Sequence, residues 1–265
     1  MTPILQTELS FAPWADPRTN RLPGVIPVGL DDWLEVDTAY AAQMALRDHL
    51  IATQPDEVMG LHESARPAAE ELLDVVLPLL PPLGFTVSPE SVTRPDGVTV
   101  PLDRSAPLET LGRLLQCDLC LMQPDPTGTT DESVLTGGIL CFPSGWRLSE
   151  KFMRPMMRIH KPIEVYTPEL GKRVQRLLDG VQPGRGLMRG TASRSDAHLA
   201  DPRSEGEYRH GQATSKFIRV ERQCLIRLPE TRAVVFTIHT QVVEPSALSA
   251  EQAAALDASP IRLAD

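Results

Sequence analysis

The chain's 265 residues suffice for one large domain or two small ones, and 42% hydrophobic with 23% charged content is ordinary for a soluble globular protein. A net charge of −9 argues against nonspecific nucleic-acid binding, which needs cations clustered against phosphate, and leaves room for local basic pockets. No apolar run reaches the roughly 18 residues of a membrane span. The opening MTPILQTELSFAPW has no basic stretch ahead of an apolar core, so no membrane association or secretory signal is expected. The few cysteines read as reduced thiols of a cytoplasmic protein. The 25 prolines, roughly double the usual share of about 5%, are spread along the chain and predict stiff, numerous loops.

Residues 1–32 carry Pro3, Pro13, Pro17, Pro23 and Pro27 with Phe11 and Trp14 between them, an extended arm whose aromatics would dock on the body. Asp37 is placed to cap a helix from Thr38 to Ile51, with Tyr40, Met44 and Ala45 on the inner face, Leu46 at its edge and His49 toward solvent. A second helix is expected from Arg66 to Leu80, with Pro67 in its first turn and a stripe of Leu72, Val75, Val76 and Leu79. Pro78, Pro81 and Pro82 end or kink it. Short strands follow at Phe85 to Val87 and Val98 to Leu102, around a turn at Pro95 to Gly97, and then a short helix from Pro107 to Leu115.

Cys117-Asp118-Leu119-Cys120 matches C-x-x-C, but no second pair completes a zinc set and no helix start would lower a thiol pKa. The stretch therefore reads as a buried strand. Ser133 to Phe142 is a further strand, feeding Leu140 to Tyr166, where Trp146, Lys151, Arg154, Arg158 and His160 crowd together between stiffening prolines. Such a rigid basic loop with a histidine suits an anionic planar cofactor, and equally a well-packed connection. Met156 and Met157 are conceivable soft ligands but fit core filling better. Pro168 to Asp179 reads as an amphipathic helix with Leu170, Val174, Leu177 and Leu178 inward. Gly180 to Glu207 reads as a long loop, with His198 and His210 exposed.

The clearest pattern is FIRVERQCLIRL at Phe217 to Leu228, a four-residue turn, and AVVFTIHTQVV at Ala233 to Val243: a hairpin. Pairing Leu228 with Ala233 sets Arg222 opposite His239 and Glu221 opposite Thr240. Alternation then puts Arg219, Glu221, Gln223 and Leu225 on one face, across from Phe236, Ile238 and Thr240. That row would serve as a polar pocket floor or as a solvated strand face. A final helix is expected from Ser249 to Leu256. The division predicted is an arm over 1–32, a body over 33–245 and a tail over 246–265, of α+β class. Its sheet is mostly antiparallel, with flanking helices.

CFPSGW at Cys141 to Trp146, Ile159-His160-Lys161-Pro162 and RVERQCLIRLP at Arg219 to Pro229 together resemble the haem-dependent oxidative N-demethylase alpha-subunit family. PVGLDDWLEVDTAY at Pro27 to Tyr40 and CDLCLM before the central stretch extend the resemblance over about residues 20 to 245. It implies a PAS-like fold holding b-type haem, and oxygen-dependent oxidation of a small secondary amine to an aldehyde and a smaller amine. Electrons would come from a separate reductase carrying FMN and a 2Fe-2S cluster. By position, His160 is the candidate iron ligand, and Trp146, Arg154, Arg158 and Arg222 are candidate cofactor contacts. Glu221, Arg219 and Gln223 are the candidate catalytic group, Glu221 orienting an amine cation or relaying a proton. Imidazole is a common axial ligand, and arginines pair with propionates.

The chain departs from the family where Arg189-Gly190-Thr191-Ala192 stands for Arg-x-Asn-Trp, and where Ile163 and Glu164 replace Val and Pro. If the missing Asn and Trp line the substrate side, substrate and turnover are affected, which leaves open a PAS-like haem or ligand sensor without turnover, or a scaffold that has lost the cofactor. A serine hydrolase is set aside, because Ser144 lacks the G-x-S-x-G elbow and an evident His/Asp pair.

Overall fold

The hairpin at 217–243 forms in the expected register, with Arg222 opposite His239 and Glu221 opposite Thr240, and the main sheet extends outward from it. A long β-branched and aromatic run on each side of a short turn leaves little freedom for slippage, since a one-residue slip would turn every side chain to the wrong face. The computed structural model describes residues 2–21, 23–163, 166–196, 198–205, 207 and 215–261.

In chain order, the first half holds β1 (Ile26–Val28), α1 (Tyr40–Thr53), the short α2 (Pro55–Val58), β2 (Met59–Leu61) and α3 (Arg66–Val76). Next come β3 (Thr86–Val87), β4 (Ser91–Thr93), β5 (Thr99–Pro101) and α4 (Pro107–Leu114). The second half holds β6 (Asp118–Pro124), β7 (Ser133–Ile139), the short α5 (Leu148–Lys151) and α6 (Met156–Ile159), and α7 (Pro168–Gly180). It ends with β8 (Gly186–Ser195), β9 (Phe217–Arg227), β10 (Val234–Val243) and α8 (Ala250–Ala258).

Seven antiparallel strands run in the order β1-β8-β9-β10-β6-β7-β2, and β3-β4-β5 form a small separate sheet. The class is α+β, as expected. On the first face of the large sheet, Leu119, Leu121, Ile226 and Val235 bury against Met44 of α1, Leu72 and Leu73 of α3 and Leu111 of α4. On the second face, Cys120, Met122, Leu135 and Ile238 bury against Leu148 and Leu178, with Trp146, Met156, Ile159 and Val174 packed around them. The arm and α8 close the end of the hairpin, where Leu9 and Trp14 pack near Ile218, Val220 and Val243. The Trp14 indole N–H donates to Gln252 O at 2.9 Å. No helix among the described residues is long and apolar enough to cross a membrane.

Several expectations are corrected. Residues 186–195 are not loop but strand β8, paired to β9 along its length and to β1 at its start. GLMRGTASRS has weak intrinsic strand preference, and two neighbouring strands override it. In α1, Ala45 is exposed while Gln43 and Arg47 are buried. Their buried polar heads find partners that a hydrophobic pattern does not reveal. The helix expected to reach Leu80 ends at Val76 and tightens into a 3₁₀ turn over Leu77–Leu79, because Pro78 has no N–H for the α-helical ladder. Leu73, rather than Val75 or Leu79, completes its buried stripe. His49 and His198 are exposed as read, and His210 lies outside the described residues.

Cys117 and Cys120 belong to hydrophobic clusters on opposite faces of the sheet, as positions three apart on a strand must. With the two thiols on opposite faces the C-x-x-C pattern has no redox geometry here, and burial pushes the Cys117 thiol up to about 12.

The helix expected from Thr38 begins at Tyr40, with Ala39 at its N-cap and no side-chain cap, so Asp37 is not its capping residue but a junction just ahead of it. Its Oδ1 accepts the Ala39 N–H at 2.9 Å, while Oδ2 accepts from His239 Nε2 at 2.9 Å and from Gln6 Nε2 at 3.0 Å. One carboxylate thus joins arm, helix and hairpin. Burial works to raise its pKa, but the bonds from His239, Gln116 and Ala39 outweigh it and hold the value at about 2. The folded pKa lies below the unfolded value of about 3.9, so the stabilisation is complete above that value and disappears as pH falls toward 2. The contribution is on the order of 2 kcal/mol. Urea unfolding of wild type and Asp37→Asn should show a stability gap that narrows from about pH 5 down to about pH 2. A constant gap would show that ionised Asp37 adds nothing.

Candidate functional site

The stretch after β7 is anchored by charges buried in the body. Asp118, the first residue of β6, accepts the backbone N–H of Cys141 at 2.8 Å and of Phe142 at 3.0 Å. Arg47 of α1 pairs with the same carboxylate at 2.6 Å, and both side chains are fully buried. Arg219 of β9 donates to Phe142 O at 2.7 Å and to Leu199 O at 3.0 Å. Gly145 then reverses the chain at φ +76, a conformation that disfavours a β-carbon, and donates to Asp201 O at 3.0 Å.

Beyond Trp146 the chain lies over the second sheet face as α5 and α6. Lys151, 5% exposed, donates to Ile159 O at 2.6 Å and to Glu205 at 3.0 Å. Glu205 also accepts from Arg158 at 2.6 Å. These two side chains hold the Glu205 carboxyl at about 2. The segment over 198–205 is thereby strapped to the central stretch at three places.

His160 follows α6. Its Nδ1 lies 2.9 Å from Met156 O, so this nitrogen carries the proton and Nε2 keeps the lone pair. The ring stacks on Tyr166, with centroids 4.2 Å apart and planes 13° from parallel. Burial lowers the imidazole pKa; the bond to Met156 opposes this, while Lys151 and Arg189 lower it further. The ring is therefore neutral at pH 7, the form that binds a metal.

The sheet supplies the opposite wall. Arg189 lies across from Gln223, Thr191 from Glu221, and Ser193 from Arg219. On the other side, Ile238 lies across from Gln223 and Thr240 from Glu221. Arg219 Nε donates to Glu221 Oε1 at 3.1 Å, and Gln223 Nε2 to Oε2 at 3.0 Å, so the carboxylate is held from both sides. Its side chain is 15% exposed, which places the row on a largely covered face, not a solvated one. Arg189 Nε is buried without a hydrogen-bond partner. Burial lowers the pKa of that guanidinium, with Glu221 working to raise it. Arg189 is thus in electrostatic reach of both His160 and Glu221, joining loop and strand residues in one place.

Of the residues singled out from sequence, His160, Glu221, Arg219, Gln223 and Trp146 share this face. Arg222 does not. It points to the first face, where it donates to Trp33 O at 2.9 Å and to Asp32 O, and pairs with Glu35 at 3.2 Å. Alternation along β9 requires this. Arg158 is engaged by Glu205, and Arg154 is exposed at the rim. Arg219 has its guanidinium committed to backbone carbonyls, Thr240 and Glu221. Arg189 and Tyr166 were missed. The period-two spacing of Leu187, Arg189, Thr191 and Ser193 was the available signal, masked by their composition. An apolar groove of about 510 Å³, lined by Leu30, Leu34, Pro78, Leu79, Pro82 and Leu83, holds none of these residues.

A half-buried histidine, a carboxylate clamped from two sides and the unbonded Nε of half-buried Arg189 meet on one covered face of the sheet of this α+β protein. The chain belongs to the family described as haem-dependent oxidative N-demethylase, alpha subunit-like, whose model matches residues 24–262. No curated protein matches the chain.

The residues fit the cofactor that the family name indicates. His160 offers a free Nε2 with its second nitrogen fixed by a carbonyl, the usual support of a metal-ligating imidazole. The orphaned Arg189 Nε is a donor still lacking an acceptor such as a carboxylate.

Proposed function

We propose that the chain binds one b-type haem against the second face of the sheet, with His160 as iron ligand, in a PAS-like arrangement. It would serve as the oxygen-activating subunit in oxidative N-demethylation of a small secondary amine. The reading rests above all on His160, a neutral imidazole with Nδ1 occupied and Nε2 free. Haem, when bound, supplies oxygen and electron chemistry that no side chain provides. A separate reductase with FMN and a 2Fe-2S cluster would deliver the electrons.

The protein's part is positioning and charge. Glu221, fixed by Arg219 and Gln223, pairs with the ammonium form of the amine and accepts its proton at a carboxylate oxygen. Arg189 offers a donor beside that carboxylate. Trp146, Phe236 and Ile238 supply apolar surface that excludes water. A propionate would draw on the rim cations Arg154 and Lys161.

A second reading, a haem or ligand sensor without turnover, draws support from Thr191. It stands directly across from Glu221, where the family's usual string has Asn. The substrate side is therefore changed next to the one carboxylate of the row.

Haem titration of the purified chain should give a saturable Soret shift at one equivalent. His160→Ala should weaken haem binding by about 10-fold or more, or replace the ligand spectrum. An unchanged spectrum removes His160 from the ligand role. No saturable shift in wild type removes the haem reading altogether. Haem binding without aldehyde formation from any small secondary amine favours the sensor.

A further inference from the structure

The helical layer over the second face carries a charge opposite to that of the rest of the chain. Between Arg147 and Arg176 there are eight basic and three acidic residues, a net of +5, so the remainder carries −14 within the total of −9. Glu205 takes up Lys151 and Arg158, and Arg147 pairs with Glu57 at 3.4 Å. Arg154, Lys161, Lys172, Arg173 and Arg176 are exposed and form no ion pair among the described residues.

Three of these cations lie on α7, whose opposite side packs inward through Leu170, Val174 and Leu178. Glu169 and Asp179, at the two ends, are the helix's acids, and Asp179 is bonded to Gln175 at 2.8 Å. Gly171, next to Lys172, is buried. A β-carbon there would strike Met157 Sδ and lie 3.5 Å from the Tyr166 ring. Tyr166 in turn stacks on His160. One aromatic ring therefore separates the backbone of the basic helix from the candidate iron ligand.

We propose that the exposed face of α7, with Lys172, Arg173 and Arg176, is the docking surface for an acidic electron-transfer protein. The inference rests on the haem reading and adds to it where the donor sits. The partner's reduced 2Fe-2S cluster gives up one electron and ferric haem takes it, with no bond made or broken. Charge complementarity selects the partner: three exposed cations on one helix, none of them in an ion pair among the described residues, on a chain of net charge −9 attract an acidic surface to this face and repel it elsewhere. The same overall charge disfavours nucleic acid and anionic lipid, which present extended negative surfaces to the whole molecule.

The test uses haem-loaded full-length chain and a reduced plant-type 2Fe-2S ferredoxin as the acidic probe. Two quantities are read: its affinity for the chain, and its second-order rate of haem reduction. Both should fall by about 10-fold or more between roughly 20 and 300 mM salt. The triple variant Lys172→Glu, Arg173→Glu, Arg176→Glu should lose about 10- to 100-fold in each at low salt. Its Soret spectrum, circular dichroism and reduction by dithionite should match wild type. The milder triple change to Gln should fall between, which guards against a folding defect in the first.

Salt-independent association, or equal association by wild type and variant with normal Soret spectra, overturns the docking surface alone. Absence of haem binding in wild type removes the haem reading, and this proposal with it. Tight wild-type binding to duplex DNA or to anionic vesicles at about 150 mM salt assigns the cations to another partner, and overturns the proposal.

Discussion

Glu221→Gln should lower amine turnover in haem-loaded protein by roughly 10²- to 10⁴-fold, the usual loss when a positioned acid or base is removed. Haem affinity and the Soret maximum should stay in place. The substitution keeps side-chain volume and one oxygen for Arg219 Nε, which now donates at 3.1 Å. An amide in that position still hydrogen-bonds, but it neither pairs with an ammonium nor accepts its proton. The structural cost is small by comparison. The measurement is aldehyde formation with an artificial reductant, together with amine-induced shifts of the haem spectrum. If wild type turns over and Glu221→Gln equals it in rate and amine affinity, the carboxylate has no part in the chemistry. Arg219→Lys separates support from chemistry. It loses the planar fork that reaches Phe142 O, Leu199 O and Glu221 together, so it should disturb both stability and rate.

Asp118→Ala should destabilise the fold by about 3–5 kcal/mol, the typical result of removing one partner of a buried ion pair. Arg47 would be left charged and enclosed, and the Cys141 and Phe142 amides would lose their acceptor. Arg47→Met combined with Asp118→Asn should recover part of the loss. It removes the stranded charge and keeps an oxygen for the amides. Urea unfolding of wild type, single and double variants checks this. A loss under about 1 kcal/mol for Asp118→Ala would mean that water replaces the carboxylate and that the pair does not anchor the central stretch. The expected consequence reaches function as well, because these two amides begin the segment that carries Trp146 and His160.

The wall formed by Arg219, Glu221 and Gln223 is legible in the sequence alone. A four-residue turn between two long β-rich runs leaves one sensible register, and period-two alternation then assigns the faces. The same alternation should have removed Arg222 from the cofactor contacts. A motif string places neighbouring residues together in sequence, whereas a strand sends them to opposite faces. The loop half of the site was legible as chemistry, a histidine among cations, but not as geometry. The α+β class, the helices at 107–114 and 168–180 and the buried strand at Cys117 to Met122 also follow from local patterns of apolar spacing, proline placement and capping.

Other features depended on contacts remote in sequence. Strand β8 exists because β1 and β9 offer it hydrogen bonds on its two sides, and no propensity in GLMRGTASRS announces that. Arg47 faces the core because Asp118, 71 residues away, meets it there. Asp37 is a junction between arm and hairpin because His239, 202 residues on, reaches its second oxygen. The α+β class and the hairpin rest on short-range periodicity and are therefore written locally in the chain. Which polar side chains are buried, and which cations form no ion pair among the described residues, depends on contacts between segments far apart in sequence. Burying a charge is tolerable only where a partner waits, and the chain's folding path in space supplies that partner.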